Sequence, residues 1–237
     1  MYTYPRRWRG YVYIIFIIGN DKLKKIFIRI LNMLLGLVLY AFGITLTLKA
    51  NIGYSPWEVF HVGLADTIRL SFGITTIIVG IVIIIIVTAL GEQLGWGTFA
   101  SMIITGMLVD VFLALDIIPL LNNTVIGIVM LLAGMFIIAI GSYFYMKSAF
   151  GVGPRDNLMV VLTRRTKIPV GICRIIVEVS ITFVGWLMGG MVGIGTIISG
   201  FAIGAFVQIV FKTLKFDVTA IKHETIKETL KQLKTGQ

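Results

Sequence analysis

The residues able to do chemistry are few, and apolar sequence surrounds most of them. Arg174 and Glu178 lie one helical turn apart inside an otherwise apolar stretch. The i, i+4 spacing lets two opposite charges neutralise each other on one helix face. Asp110 stands deep in another such stretch, with Gln208 at the matching position of a second. Ionisable groups within membrane segments are costly and mark pathways, coupling sites or gates. The other candidates gather around two prolines, in Gly53-Tyr-Ser-Pro56-Trp-Glu58 and Gly151-Val-Gly-Pro154-Arg155-Asp156. A lysine precedes each proline by seven residues, Lys49 and Lys147, and His61 follows Glu58 by one turn. An acid and an imidazole at that spacing can handle a proton near neutral pH. We expect Lys49, Glu58, Lys147, Arg155 and Asp156 to bind a substrate, with Asp110, Arg174, Glu178 and His61 as coupling or gating groups. The plainer readings are an inert ion pair at Arg174 and Glu178, lysines snorkelling from span ends, and a core histidine at His61.

Other chemistry has little support. The only histidines are His61 and His223, and no metal-ligand spacing occurs. Gly53-Tyr-Ser55 faintly resembles the serine turn of intramembrane proteases, but proline follows the serine and no distant intramembrane histidine accompanies it. Neither an enzyme, a cofactor nor a metal is expected. The single cysteine, Cys173, cannot form an internal disulfide and reads as a small packing residue.

The elements that must position these residues follow from turn chemistry and length. Glycine permits the turn before each proline. Proline suits the first helical position, where its missing donor loses nothing, and an acid in the first turn suits the positive helix end. Helices therefore start at Pro56 and Pro154 and are short for a crossing. With 57% apolar and 14% charged residues, the rest is far from a soluble globular composition. Ile117–Met146 and Val179–Phe211 carry no charge at all, and a spanning helix needs about 20 apolar residues. Spans are predicted at 27–49, 72–91, 97–116, 124–147, 169–188 and 193–213. No ten-residue blocks alternate with period two, so a barrel is excluded.

Residues 32–113 and 130–211 repeat one pattern at an offset of 98. Gly36, Gly43, Lys49, Gly53, Pro56 and Gly73 recur as Gly134, Gly141, Lys147, Gly151, Pro154 and Gly171. The run Gly91, Gly95, Gly97, Thr98, Ser101, Gly106 recurs as Gly189, Gly193, Gly195, Thr196, Ser199, Gly204. Matches at glycine, proline and lysine do not arise from greasy composition alone. The expected fold is an all-α polytopic membrane bundle of two tandem repeats, inverted with three spans each, with half-helices at Pro56 and Pro154. Its parts are an N-terminal arm (1–26), a first repeat (27–118), a second repeat (119–215) and an amphipathic cytoplasmic tail (216–237). The alternative has the short helices cross, giving eight spans and parallel repeats. The pairs Gly91/Gly95, Gly189/Gly193 and Gly200/Gly204 are expected on helix faces as close-packing contacts.

The net charge of +10 comes from clusters beside the spans, such as Lys22, Lys24, Lys25 and Arg29, or Arg164, Arg165 and Lys167. That pattern suits retention of basic loops in the cytoplasm, anionic lipids as partners and no nucleic acid. Both termini are expected inside. In the arm, Arg6, Arg7 and Arg9 precede an apolar run, Tyr11–Gly19, too short to span. It reads as an interfacial arm or an extension ahead of a native start at Leu23; a cleaved secretory signal is not expected.

The string Asn51-Ile-Gly-Tyr-Ser-Pro-Trp-Glu-Val-Phe-His-Val-Gly-Leu64, with Gly151-Val-Gly-Pro-Arg-Asp156, resembles the YczE/YitT group of bacterial membrane proteins over about residues 27–215. The resemblance implies a bacterial cytoplasmic-membrane protein and supplies no substrate or catalytic residue. Internal duplication with broken helices is a common plan of secondary transporters, so export or uptake of a small molecule is the expected function. The alternative is an accessory membrane protein acting through partners, its tail the docking piece. Association of copies is left open.

Overall fold

The computed structural model of the chain describes residues 6–92, 94–168 and 170–216, and every regular element within them is an α-helix. They are α1 (Arg6–Lys49), α2 (Pro56–Ile68), α3 (Phe72–Ala89), α4 (Trp96–Leu115), α5 (Thr124–Lys147), α6 (Pro154–Thr166), α7 (Val170–Leu187) and α8 (Ile194–Thr213). Among the described residues, five are long and apolar enough to cross a membrane: α3, α4, α5, α8 and the Lys24–Lys49 part of α1. α7 has 18 residues with Arg174 and Glu178 among them, and occupies the place of the remaining predicted span. Large apolar side chains such as Ile85, Val125 and Phe201 lie on the outer surface, as a lipid solvent requires. The arm is not a separate element, since its backbone continues α1 without a break from Arg6. The predicted amphipathic tail helix and His223 lie outside the described residues.

α2 and α6 have 13 residues each, about 20 Å of helix, against about 30 Å of hydrocarbon. Both begin at their prolines, after an N-cap residue in extended backbone: Ser55 at φ −64°, ψ 158° and Gly153 at φ −61°, ψ 158°. Residues with positive φ recur 98 positions apart. Asn51 and Ala149 adopt 55° and 59°, Arg69 and Lys167 adopt 56° and 59°, and Gly91 and Gly189 adopt 92° and 96°.

α1 and α5 pack antiparallel through glycine. A Cβ on Gly43 would lie 2.7 Å from the Gly134 carbonyl oxygen, and one on Gly141 would lie 2.8 Å from that of Gly36. Arg29 Nε donates to the Ser148 carbonyl at 2.8 Å near one end of the pair. Around this axis α4 packs on α1 and α8 on α5, while α2 packs on α7 and α6 on α3. The loop hydrogen bonds match this exchange: Gly97 N donates to Phe150 O and Gly195 N to Ile52 O, both at 2.8 Å. One core cluster, including Ala41, Ile44, Phe72, Val109 and Ile138, ties α1, α3, α4 and α5 together.

The glycine-pair expectation needs correcting. Gly91 and Gly189 lie in turns at positive φ, and Gly95 and Gly193 are N-caps. At Gly91 and Gly189 the left-handed backbone needs glycine for conformation, and Gly193 is pressed against a loop rather than a helix, since its Cβ would lie 2.6 Å from the Ile52 carbonyl oxygen. Gly200 and Gly204 do lie on α8, but a Cβ at either would meet nothing within 4 Å.

Candidate functional site: a cavity where two half-helices meet

The tips of α2 and α6 meet in the middle of the bundle. Arg155, the second residue of α6, lays its guanidinium carbon 4.8 Å from the ring centroid of Trp57, the second residue of α2. Arg155 Nη2 also lies 3.1 Å from His61 Nδ1. A guanidinium only donates, so His61 Nδ1 accepts and a neutral ring carries its proton on Nε2. That Nε2 is buried without a partner.

Beside this contact lies a cavity of about 220 Å³, with wall residues from all eight helices. Its ionisable side chains are His61, Arg155, Asp156, Arg174 and Glu178, joined by the phenols of Tyr40 and Tyr145. Arg174 Nε donates to Glu178 Oε1 at 2.8 Å. Asp156 presents an accessible side chain to the cavity and has no hydrogen-bond or ion-pair partner among the described residues. The charges of Arg174 and Arg155 act on it from farther away.

Glu58, the acid 98 positions before Asp156, is treated differently. Glu58 is 4% exposed, accepts from Thr47 Oγ1 at 3.2 Å and Ser55 N at 3.3 Å, and is absent from the cavity wall. Its carboxylate is spent on capping α2. In the second half, Thr47 is replaced by Tyr145 and Ser55 by Gly153. The Tyr145 hydroxyl is buried beside Ser101 without a hydrogen bond of normal geometry, and the shorter Asp156 is left to the cavity.

Of the expected site residues, five come together: His61, Arg155, Asp156, Arg174 and Glu178. Four do not. Lys49 pairs with Asp116 at 2.5 Å, at the ends of α1 and α4. Lys147 donates to Tyr143 Oη at 3.0 Å and sits over that ring. Asp110 accepts from Ser71 Oγ and Gly73 N and so holds the start of α3. Glu58 caps its own helix. Gln208 likewise lies off the wall. Trp57, Tyr40 and Tyr145 were not among the expected residues. The available signal was their repeat partners, since position 57 matches Arg155 and position 145 matches the hydroxyl-bearing Thr47.

The α3–α4 and α7–α8 seams also differ. α3 lies directly on α4, and a Cβ on Gly106 would sit 2.7 Å from the Gly73 carbonyl oxygen. At the matching positions of α7 and α8, Gly171 and Gly204, an added Cβ would meet nothing within 4 Å. A groove of about 560 Å³ separates these two helices, lined by Ile175, Phe183, Trp186 and Phe201 among others. Glu178 borders both this groove and the central cavity.

A family model described as a family of unknown function, DUF6198, matches residues 27–212. The chain is 33% identical over 177 residues to the uncharacterized membrane protein YczE of Bacillus subtilis strain 168, covering 73% of this chain and 80% of the relative. It is 28% identical over 178 residues to an uncharacterized protein of Haemophilus influenzae, covering 74% and 80%. It is 24% identical over 185 residues to the uncharacterized protein YyaS of Bacillus subtilis, covering 74% and 90%. No solved structure matches.

Proposed function

The chain belongs to the DUF6198 family of unknown function, and from that premise we propose that it is a secondary transporter of a small molecule, built from two inverted copies of one helical unit. The observation that carries this reading is the meeting of the α2 and α6 tips, Trp57 against Arg155, at the wall of a cavity inside the bundle. Broken helices that present their N-terminal ends to a central site are the usual way such folds bind polar ligands within the bilayer. The proposal is one of passage, with no chemistry done on the substrate.

The unequal seams support a cycle. With α3 on α4 and α7 apart from α8, one seam of the described conformation is shut and the other is parted. If the halves are equivalent, exchanging their conformations shuts the α7–α8 seam and opens the α3–α4 seam, so the cavity faces each side in turn. Basic residues indicate orientation. Arg164 pairs with Glu92 at 2.5 Å, and Arg165 donates to Leu90 O at 2.8 Å. The Arg29 end of α1 meets the end of α5. Both groups belong on the cytoplasmic face of a bacterial inner membrane under the positive-inside rule.

The test needs no known substrate. Spin labels at positions 175 and 197 report across the α7–α8 seam, and labels at the matching positions 77 and 99 report across α3–α4. We expect two distances at each seam, one pair lengthening as the other shortens, because a transporter samples both states. A single invariant distance at both seams under every condition would overturn the transport reading.

A further inference from the structure

We propose that the central cavity binds a small zwitterion with an apolar body, its anionic group at Arg155, His61 and Tyr145 and its ammonium at Asp156. This deepens the transport reading and rests on it for the ligand's movement, though not for its binding.

The inference starts from the charges on the cavity wall. Arg155 and Arg174 face Asp156 and Glu178 there. Arg174 is already bonded to Glu178 and reaches Asp156 only through its field, without an ion-pair contact, which leaves Arg155 and Asp156 as the two groups without a bonded counter-ion. The contacts of Arg155 are a neutral ring nitrogen and the face of Trp57, and neither supplies a formal negative charge. Asp156 has no bonded partner. Inside a bundle, an ion without a close counter-ion is costly. A ligand that supplies both opposite charges satisfies both groups, whereas a singly charged one leaves the other unmet.

Hydrogen-bond capacity agrees on which end goes where. His61 and Tyr145 line the wall at 1% and 5% exposed, and neither His61 Nε2 nor Tyr145 Oη, each buried just behind it, makes a hydrogen bond. A neutral His61 with Nδ1 accepting offers Nε2–H as a donor, and a phenol can donate its proton. Together with the unused N–H groups of Arg155 they suit a carboxylate. Asp156 can only accept while ionised, so it suits an ammonium. Leu37, Phe72, Val79, Ile138 and Met159 make much of the remaining wall apolar. A cavity of about 150 Å³ holds benzene; at about 220 Å³ this one fits roughly ten non-hydrogen atoms, the size of an apolar amino acid.

Glu58 is the competing consideration. It lies within electrostatic range of Arg155 but is bonded to Thr47 and Ser55 off the wall. If its charge alone satisfied Arg155, a simple amine would bind as well as a zwitterion.

Three probes of one shape separate these cases on the purified full-length protein: L-leucine, 3-methylbutylamine, which lacks the carboxylate, and 4-methylpentanoate, which lacks the ammonium. Calorimetry is expected to give leucine at least about tenfold the affinity of either relative. Asp156→Asn should erase most of the advantage over 4-methylpentanoate, and Arg155→Gln most of that over the amine. Tyr145→Phe removes one hydroxyl and keeps the ring, so it serves if Arg155→Gln fails to fold. It should weaken leucine and 4-methylpentanoate while leaving the amine unchanged. Equal binding of the amine, equal binding of the carboxylate, or binding of none of the three would overturn the proposal. Binding of leucine without its flux in liposomes would sink the transport reading alone, whereas flux of the amine in preference to leucine would sink this one.

Discussion

At the residue scale, equivalent acids have opposite duties. Glu58 accepts two hydrogen bonds and caps α2, while Asp156 faces the cavity without a partner. Their substitutions should therefore move stability in different directions. Glu58→Ala leaves Ser55 N unpaired, while Thr47 Oγ1 keeps its bond to the Ile44 carbonyl, and should cost about 1–3 kcal/mol, read as a lower melting temperature in detergent. Asp156→Asn relieves an unpartnered charge and should leave the melting temperature unchanged or raised. A matching drop for both would mean that Asp156 is structural. The sequence made both carboxylates visible and ranked them alike. Only the neighbours that fold brings in, Thr47 for one and Tyr145 for the other, separate a cap from a site residue.

At the element scale, the α1–α5 crossing is held by glycines against backbone. An alanine at Gly43 or Gly141 would press its methyl to 2.7 Å of a backbone atom on the facing helix, which cannot yield without moving that helix. Each substitution should destabilise by about 1–3 kcal/mol, the usual scale of overpacking. Gly204→Ala, with nothing within 4 Å of the new methyl, should fall within about 0.5 kcal/mol of the parent. Thermal melts of the three variants check this; equal losses would mean that the seams are alike. The starts of α2 and α6 were legible because proline at a helix start and glycine before it are local demands. Gly91 and Gly189 are spaced like packing glycines, because spacing alone does not distinguish a packing face from a left-handed turn.

At the scale of the whole molecule, the antiparallel α1–α5 pair and the short α2 and α6 favour three crossings per half. A cysteine at position 122, with Cys173 replaced by alanine, should react with an impermeant maleimide from outside intact cells; protection until the membrane is opened would favour eight crossings. Motion is tested at the open seam. Gly204→Leu should fold normally yet fill the space α7 must enter, lowering flux at least about tenfold. Unchanged flux would mean that closure there is not part of the cycle. Removing residues 217–237 separates the accessory alternative, since a transporter keeps flux without them and a docking protein loses its complex.

Sequence alone determined the solvent, the helices and the broken pair. Apolar length, proline position and a 98-residue recurrence are properties of the chain itself, set by hydrogen-bond need in lipid and by backbone sterics. Tertiary structure decided which charges share a space. Lys49 and Lys147 found partners near helix ends, because a long side chain there has nearby groups to satisfy it, and Asp110 met the free donors at the start of α3. Arg155 and Asp156 were carried inward on a helix too short to reach the surface at both ends. No spacing rule could show that Arg155 would come to rest on Trp57, its own counterpart, because that contact exists only once the two halves face each other.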